Sequence, residues 1–530
     1  MIEEHNYPIN SPITRLRSYQ ILASALLILF FGTVLVLLQS GLRADAFFVG
    51  DPGIKLIAAK NAGARPDHPL DIPLPVIGGE SLPYIEPFFE VHGDHAHAIT
   101  SELFPLVTAP FIRWVGIRGA YVLPAAGFVG ILIGCAWLAV ALDPRRNVAA
   151  VVLVSALASP FLFYGLEFWE HAPAVALATI ATAMIVTSYQ RSGLPAAAFA
   201  FAAGVVFGLS LLLRPEMAWA MVAVFAASLA FSDVGSKGGQ GARASLLLSL
   251  MLVGVALALA PLELYTLHHF GRVMPAHLWA NAGLLQTSWI SERGNLMASW
   301  LLPSGWNRSG PVRAESFWTA VPLVLLAAVP VRADALRRGR GFLAAVAGLT
   351  LALVLLTSPN DGGAQWAPRY LLFAYVPLVI LASDVVDALP KRGATVAMLT
   401  VLLLLCVWIQ RSAYRQLRGT KLTYGRAVDF VVNQVAPGGV IVTDLWWLDQ
   451  IAASAISDRH LVYVPTAADG RAVMQRLNRA VVPIVIVIRS ESDSPDVSPW
   501  REDTCYVEIK RDTVDVRRLV AITLHHRCSQ

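Results

Sequence analysis

The chain has 530 residues, of which 56% are hydrophobic and 15% are charged, and its mean hydropathy is +0.58. Soluble globular proteins carry charge on about a quarter of their residues, so this composition excludes that class and indicates an integral membrane protein. The net charge of +5 does not indicate nucleic-acid binding, because no basic run is interleaved with aromatic residues. Multi-spanning proteins concentrate lysine and arginine in their cytoplasmic loops, which accounts for the basic excess.

The first apolar run, residues 19–39, is long enough to cross the hydrocarbon core as one helix. No convincing small-residue cleavage site follows it, so we interpret it as a retained span and not as a signal peptide. Ten further apolar runs follow at residues 119–142, 148–164, 172–189, 196–213, 217–231, 245–267, 317–331, 342–357, 370–389 and 394–409. The sequence therefore predicts about eleven spans, several short enough to be tilted or re-entrant.

Loop charges predict the orientation of these spans. If the amino terminus is cytoplasmic, every inside loop is net basic or neutral, including the loops with Arg145 and Arg146 and with Arg337 and Arg338. This is the distribution that the positive-inside bias requires. An odd number of spans then places the carboxyl-terminal tail outside, together with the loops 41–118, 165–171, 268–316 and 358–369. We therefore expect a multi-pass protein of the cell's inner (plasma) membrane whose working face is extracytoplasmic.

The tail beyond Arg411 has a different pattern. Apolar strands at 439–444, 460–465 and 482–489 alternate with helices at 448–457 and 469–479, which predicts a small α/β domain with a partly parallel sheet. The predicted domains are thus a transmembrane part, 1–412, and an extracytoplasmic part, 413–530. Cys505 and Cys528 are a candidate disulfide if that domain lies in an oxidising compartment.

Asp51 is the candidate catalytic residue. It follows the first span closely, in the segment Phe47-Phe-Val-Gly-Asp-Pro-Gly, whose apolar residues indicate the membrane interface and whose glycine and proline indicate a fixed bend. Partial desolvation raises the proton affinity of a carboxylate and suits it to act as a general base. The alternative is an Asp-Pro-Gly turn with no catalytic role.

The same loop contains imidazoles and acids at short spacing. His95 and His97 form a His-x-His pair that an extended segment would direct to one face, and Asp94 precedes them. These residues are candidates for a metal or acceptor site, although a solvated polar loop is the alternative. Glu102 stands at a predicted helix start, where it is either a second acid or a residue that complements the helix dipole.

A second acidic cluster, Glu167, Glu170 and His171, lies in a very short outside turn. The two glutamates are candidates for a second catalytic acid, and with the first loop they offer oxygen ligands for a divalent cation. His171 is a further metal or acceptor candidate. An interfacial aromatic belt with its charges towards water is the alternative reading.

Two arginines stand at helix ends. Arg214 lies between apolar runs and Arg369 opens a span, and charges at such depth are costly unless they are paired or bind a ligand. Arginine grips phosphate bidentately, so both are candidate phosphate-binding residues. The alternatives are an ion pair with Glu216 for Arg214 and snorkelling to the interface for Arg369.

These motifs resemble the GT-C superfamily of multi-spanning glycosyltransferases, which includes protein mannosyltransferases, aminoarabinose transferases and arabinosyltransferases. The resemblance is carried by four short segments: Gly50-Asp51, the helix around 103–110, Leu213-Arg-Pro-Glu216, and Gly362-Gly-Ala-Gln-Trp-Ala-Pro-Arg-Tyr-Leu-Leu372. It implies a helical membrane fold, a polyprenyl-phosphate-linked sugar donor, and a glycan, lipid or protein acceptor outside the cytoplasm.

The resemblance also assigns roles. Asp51 occupies the place of the usual catalytic acid/base residue, and Pro52 stands where many members have a second acid. Asp51 is expected to deprotonate the acceptor hydroxyl as it attacks the anomeric carbon with inversion. Arg369, with Arg214 or a divalent metal such as Mg²⁺ or Mn²⁺, is expected to stabilise the departing phosphate. Sugar-stacking tryptophans are expected in the loop 268–316, at positions 279, 289, 300 and 306.

Two other functions remain open from the sequence. A transporter or flippase of lipid-linked sugars would be expected to have inverted repeats and broken helices near the membrane midplane. A polysaccharide polymerase or ligase would share the membrane core and differ mainly in using diphosphate-linked glycans.

Overall fold

The structure is a computed structural model that describes residues 12–82, 88–232, 240–271, 289–302, 315–329, 339–360, 362–363, 365–390, 392–456, 458–491 and 505–528. Within these ranges, eight helices are long and apolar enough to cross a membrane. An α-helix satisfies its own backbone hydrogen bonds, which a membrane-spanning segment requires. These helices also carry few charged side chains, so their surfaces are compatible with lipid. The helical multi-spanning class expected from the composition is confirmed, and the number of crossings stays a prediction.

The chain forms sixteen α-helices in the described residues, which we number in chain order. They are α1 Pro12–Ser40, α2 Asp51–Ala64, α3 Leu103–Val115, α4 Val122–Leu142, α5 Val148–Leu157, α6 Phe161–Leu166, α7 His171–Tyr189, α8 Gly193–Leu213, α9 Met217–Ser232, α10 Gln240–Phe270, α11 Trp289–Leu301, α12 Arg340–Thr357, α13 Leu372–Ala388, α14 Gly393–Gln434, α15 Leu448–Ile456 and α16 Ala467–Arg479.

Two predicted spans differ in the structure, and proline explains both. The run 148–164 is split into α5 and α6 at Pro160, whose ring does not allow the helix to continue unbroken. The run 317–331 is described only as far as residue 329, and within 317–329 it forms a 3₁₀-helix, Pro322–Ala328, and no α-helix. Pro322 holds the preceding Val321 outside the helical region, so the helical turns begin at Pro322 and not at the start of the apolar run.

The chain divides into two compact units. The helical unit comprises Met1–Ser40 and Leu123–Tyr414, and the mixed unit comprises Gly41–Val122 and Arg415–Gln530. The first loop thus belongs to the same compact unit as the tail. The division into functional domains at residue 412 stays a prediction.

Close glycine contacts bring the helices of the helical unit together. A Cβ on Gly204 of α8 would lie 1.9 Å from the backbone oxygen of Met251 on α10. Small residues at such crossings are typical of membrane helix packing, because they let backbones approach. A buried ion pair, Arg146 Nε to Asp384 Oδ1 at 3.0 Å, joins the start of α5 to α13.

The mixed unit contains ten strands in the described residues. They are β1 Ile72–Pro73, β2 Val76–Ile77, β3 Glu80–Ser81, β4 Phe89–His92, β5 His95–Ala98, β6 Val440–Thr443, β7 His460–Tyr463, β8 Ile484–Ser490, β9 Tyr506–Val514 and β10 Leu519–His526. The tail sheet has the order β7-β6-β8-β10-β9, in which β7, β6 and β8 are parallel and β10 and β9 are antiparallel. This confirms the partly parallel α/β tail.

Alternating strand side chains bury both faces of the tail sheet. Ile441 of β6 packs towards the carboxyl-terminal turns of α14 and towards α15, whereas its neighbours Val440 and Val442 pack towards α16. This two-sided burial is typical of strands in parallel sheets. The structure also joins Cys505, before β9, to Cys528, after β10.

Candidate active site

Asp51 is the first residue of α2 and is partly buried. Pro52 follows at a position where its fixed backbone angle suits the first helical turn. The amino terminus of a helix carries partial positive charge, and the Asp51 carboxyl stands in its first turn. The Asp-Pro-Gly sequence, which could have formed an isolated turn, therefore begins a helix in the structure.

A buried lysine lies one helical turn after Asp51. Lys55 is 2% exposed, and its position four residues along α2 puts it on the same helix face as Asp51. Lys55 was not among the candidate residues predicted from the sequence. The available signal was a charged residue within the otherwise apolar stretch Ile54-Lys-Leu-Ile-Ala-Ala.

The segment that leads to Asp51 is held by charged side chains of the mixed unit. Arg43 pairs with Asp45 at 2.6 Å and with Asp429 at 2.7 Å, and its hydrogen bond to Asp45 lowers the pKa of that carboxyl. The fully buried Lys421 donates hydrogen bonds to the Ala46 carbonyl at 3.1 Å and to Tyr121 Oη at 2.8 Å. The base candidate is therefore preceded by an anchored segment.

A small sheet of order β1-β5-β4 packs on α2 and has one apolar and one polar face. Strand residues that pair directly share a face, and the register pairs Glu90 with His97 and His92 with His95. The opposite face carries Ile72, Phe89 and Ala96, which pack against Ile54 and Ala58 of α2. The polar face is therefore turned away from α2.

Three side chains on this polar side form a group that can hold a metal ion. Ligand atoms of Asp71, His95 and His97 all lie within 4.8 Å of one another, and His97 Nε2 is 3.1 Å from Asp71 Oδ1. The exposed Asp94 is 3.1 Å from Nδ1 of His95, and this hydrogen bond lowers the pKa of Asp94. A hydrogen bond at Nδ1 orients the ring and leaves Nε2 for a ligand.

The group shares two residues with the predicted metal or acceptor candidates, which stay predictions. Asp71 replaces Asp94 in the group, and no spacing pattern in the sequence indicated this, because the pairing of β1 with β5 brings Asp71 close. His171 belongs to the helical unit. Glu102 is the residue before α3 and makes no side-chain cap there, so its role as a second acid stays a prediction.

In the helical unit, the second acidic cluster is buried. An interfacial aromatic belt would instead expose these charged side chains to water. Glu167, Glu170 and His171 are each at most 2% exposed. Their turn is lined by rings, since Trp169 stacks on Tyr164 at a centroid distance of 5.4 Å and contacts His171 at the same distance.

Arg214 lies in the same cluster as these acids. Its Nη1 is 3.0 Å from Glu170 Oε1, and its Nε is 2.8 Å from Glu216 Oε1. The local pair with Glu216 therefore exists, and the fold adds a second carboxylate from another turn. The turn Arg214-Pro-Glu216 joins α8 to α9, which presents the guanidinium and the acid together.

Arg369 is held in a structured loop and is 8% exposed, so it does not snorkel to water. Its backbone N–H donates to Gln365 Oε1 at 2.7 Å, and Gly362, at φ +84°, allows the loop to approach its guanidinium. The guanidinium carbon lies 5.8 Å from the Trp169 ring and 5.6 Å from the Tyr370 ring.

The ring of Tyr370 links the two arginines. The guanidinium carbon of Arg214 is 5.3 Å from its centroid, so Arg214 and Arg369 both contact it. The structure thus places Arg214 and Arg369, which the sequence did not link to the acidic cluster, beside the turn that carries Glu167, Glu170 and His171. Of the predicted sugar-stacking tryptophans, positions 279 and 306 and the side chain of 289 lie outside the described residues, and Trp300 is buried against Tyr370.

Comparison with solved structures gives a match along nearly the whole chain. ArnT from Cupriavidus metallidurans, solved in the apo state and bound to undecaprenyl phosphate, matches with a TM-score of 0.57 and 12% identity, covering 94% of this chain and 97% of that chain. The chain has the GT-C fold. An oligosaccharyltransferase from Archaeoglobus fulgidus, in complex with Zn and sulfate, matches with a TM-score of 0.42 and 12% identity over 87% of this chain and 67% of that chain. No protein-family model matches, and no curated protein matches the sequence.

Proposed function

We propose that this protein is a glycosyltransferase that moves a sugar from a polyprenyl-phosphate donor to an extracytoplasmic acceptor with inversion. The observation that carries the proposal is the fold match over 94% of the chain to a protein solved with undecaprenyl phosphate. Outside the cytoplasm there is no nucleotide-sugar pool, so the donor must cross the membrane on its own lipid anchor.

Asp51 is the proposed general base. It takes the proton of the acceptor hydroxyl as that oxygen attacks the anomeric carbon, and the bond to the phosphate oxygen breaks on the opposite side. Its place as the first residue of α2, after an anchored segment, supports a fixed position for this carboxylate.

Arg369 is the proposed phosphate-binding residue. Its anchored loop and buried surroundings support a preorganised positive charge, which stabilises a developing phosphate charge strongly where water is excluded. Arg214 is engaged by Glu170 and Glu216, so we assign it the task of holding that cluster and not the main phosphate contact.

The test uses purified protein and undecaprenyl-phosphate-linked sugars with an acceptor extract. Release of undecaprenyl phosphate should depend on the acceptor, and Asp51→Asn should abolish release while undecaprenyl phosphate still raises the melting temperature. Arg369→Gln should weaken that stabilisation. Asp67→Asn, an exposed acid in the same loop, is the matched control.

An Asp51→Asn variant that retains transfer contradicts the proposal. Movement of intact lipid-linked sugar across vesicles, without transfer, indicates the flippase instead. Release from diphosphate-linked but not monophosphate-linked donors indicates the polymerase or ligase.

We also propose that Asp71, His95 and His97 bind a divalent metal. Two imidazoles and one carboxylate suit zinc or manganese better than magnesium, which prefers oxygen ligands. Zinc titration should show one site, which His97→Ala removes and which Asp94→Asn weakens by about 10- to 100-fold. His525→Ala, an exposed histidine of the tail, should leave zinc binding unchanged; an equal loss there contradicts the assignment.

A further inference from the structure

The first turn of α15 lies against the two glycines that flank Asp51. A Cβ on Gly50 would be 1.7 Å from Oε1 of Gln450, and a Cβ on Gly53 would be 1.8 Å from the backbone oxygen of Gln450. Cβ atoms in proteins essentially never come within 3.0 Å of such neighbours, so only glycine permits this contact. The tail therefore touches the backbone on both sides of the proposed base.

Two further contacts hold α15 in this place. The Ser454 hydroxyl donates to the Asp45 carbonyl at 2.7 Å, and Lys60 Nζ donates to the Ser454 carbonyl at 3.3 Å. These bonds join the middle of α15 to the segment before Asp51 and to the later part of α2. The first loop and α15 are thus fixed to each other at points before, beside and after Asp51.

The residue before Gln450 is a buried acid that the sequence analysis did not select. Asp449 is 3% exposed, and its Oδ1 accepts a hydrogen bond from the Gln450 N–H at 2.9 Å. Burial raises the pKa of the Asp449 carboxyl well above its usual range. This hydrogen bond shapes the turn that brings Gln450 against the glycines around Asp51.

We propose that Asp449 and Gln450 are positioning residues that hold Asp51 in its reactive placement, so that the tail takes part in the transfer reaction. The inference rests on the proposed function. Asp449 shapes the turn, and Gln450 makes the contact with the backbone around Asp51. Displacing a reacting group by about 1 Å lowers a rate by roughly 100-fold, so even a small shift of this contact has a measurable effect.

A pair of glycine substitutions tests the contact. Gly50→Ala meets the movable end of the Gln450 side chain, whereas Gly53→Ala meets its backbone oxygen. Gly53→Ala should lower kcat by roughly 100-fold, and Gly50→Ala by less, because the end of the Gln450 side chain can move. Gln450→Ala alone should lower kcat about 10-fold. The double variant Gly50→Ala/Gln450→Ala should have the same kcat as Gln450→Ala, because the obstructing side chain is gone. The double variant Gly53→Ala/Gln450→Ala should stay as slow as Gly53→Ala, because the backbone oxygen is still present. Equal rescue of both contradicts the contact.

Substitutions at Asp449 test its role. Asp449→Asn keeps the acceptor oxygen and the size of the side chain and should stay within about threefold of wild-type kcat. Asp449→Leu removes the acceptor and should lose more than about 30-fold in kcat with KM unchanged. Asp458→Asn, an exposed acid shortly after α15, is the matched control. The assay is donor turnover with undecaprenyl-phosphate-linked sugar, together with the melting temperature of each variant.

Several outcomes overturn the inference. Gln450→Ala with wild-type kcat shows that α15 only packs against α2. Asp449→Asn as inactive as Asp51→Asn shows that Asp449 acts as an acid or base itself. If Asp51→Asn retains transfer, the proposed function fails, and this is distinguishable because it does not depend on any α15 variant.

Discussion

Arg214→Gln should destabilise the helical unit because it removes the cation between two nearly buried acids. Glu170 and Glu216 lie 3.0 and 2.8 Å from the guanidinium, and their side chains are 2% and 9% exposed. Removing one partner of a buried ion pair costs about 3–5 kcal/mol, since the remaining charge is left desolvated. In a unit of this size the loss corresponds to a fall in melting temperature of roughly 10 °C.

The assay is thermal unfolding of the detergent-purified protein, in which the fraction that remains monodisperse is measured at each temperature. Arg214→Lys keeps the charge but not the two-pronged geometry, so it should lose less than Arg214→Gln. Replacing Glu170 and Glu216 by glutamine in the Arg214→Gln background should recover most of the loss, because no buried charge is then left uncompensated.

Arg191→Gln is the control, since Arg191 is an exposed arginine of the same unit. It should leave the melting temperature nearly unchanged. Two results would contradict this prediction: a melting temperature of Arg214→Gln equal to that of the wild type, or a triple variant, Arg214→Gln with Glu170→Gln and Glu216→Gln, that is no more stable than Arg214→Gln alone. Either result would mean that these acids are not charged in the folded protein.

Three further predictions concern the mixed unit. Replacing Cys505 and Cys528 by serine opens a loop with a sequence separation of 23 residues and should lower the free energy of unfolding by about 3 kcal/mol, measured by denaturation of the oxidised protein against the variant. Lys421→Met removes two buried hydrogen bonds and should cost about 2 kcal/mol; an unchanged melting temperature would show that they contribute nothing. Burial raises the pKa of Asp449, so the folded protein keeps the proton of this carboxyl to higher pH than the unfolded chain, which releases it above about pH 4. The contribution of Asp449 to the free energy of unfolding therefore falls as pH rises above that value. Asp449→Asn should remove that part of the slope, and an identical pH dependence contradicts it.

Much of the fold follows from local sequence. Apolar runs of membrane length predicted ten of the α-helical regions of the membrane part, and the strand pattern predicted the tail sheet. These succeed because a span needs only an apolar length and a buried strand needs only a run of apolar β-branched residues. The run at 317–331 differs within its described part because hydropathy does not register that Pro322 delays the start of a helix.

The candidate site was less accessible from the sequence. Its individual residues stood out by type, since arginines at span ends and acids in short outside turns are costly or conspicuous there. Asp71 could not be found in this way, because only the pairing of β1 with β5 places it beside His97. No motif around Asp449 singles it out in the sequence. Its proposed role depends on its burial, which results from tertiary packing and is not encoded in the neighbouring residues.

The sequence by itself determined the class of this protein, the positions of most helices and the small set of polar residues that membrane segments do not tolerate without cause. Tertiary structure decided which of those residues meet: Arg214 with Glu170, Arg369 with Trp169, and Gln450 with the glycines around Asp51. The physical reason is range. Hydropathy and helix start signals act within a few residues, whereas ion pairs, ring contacts and glycine close approaches join segments far apart in the chain.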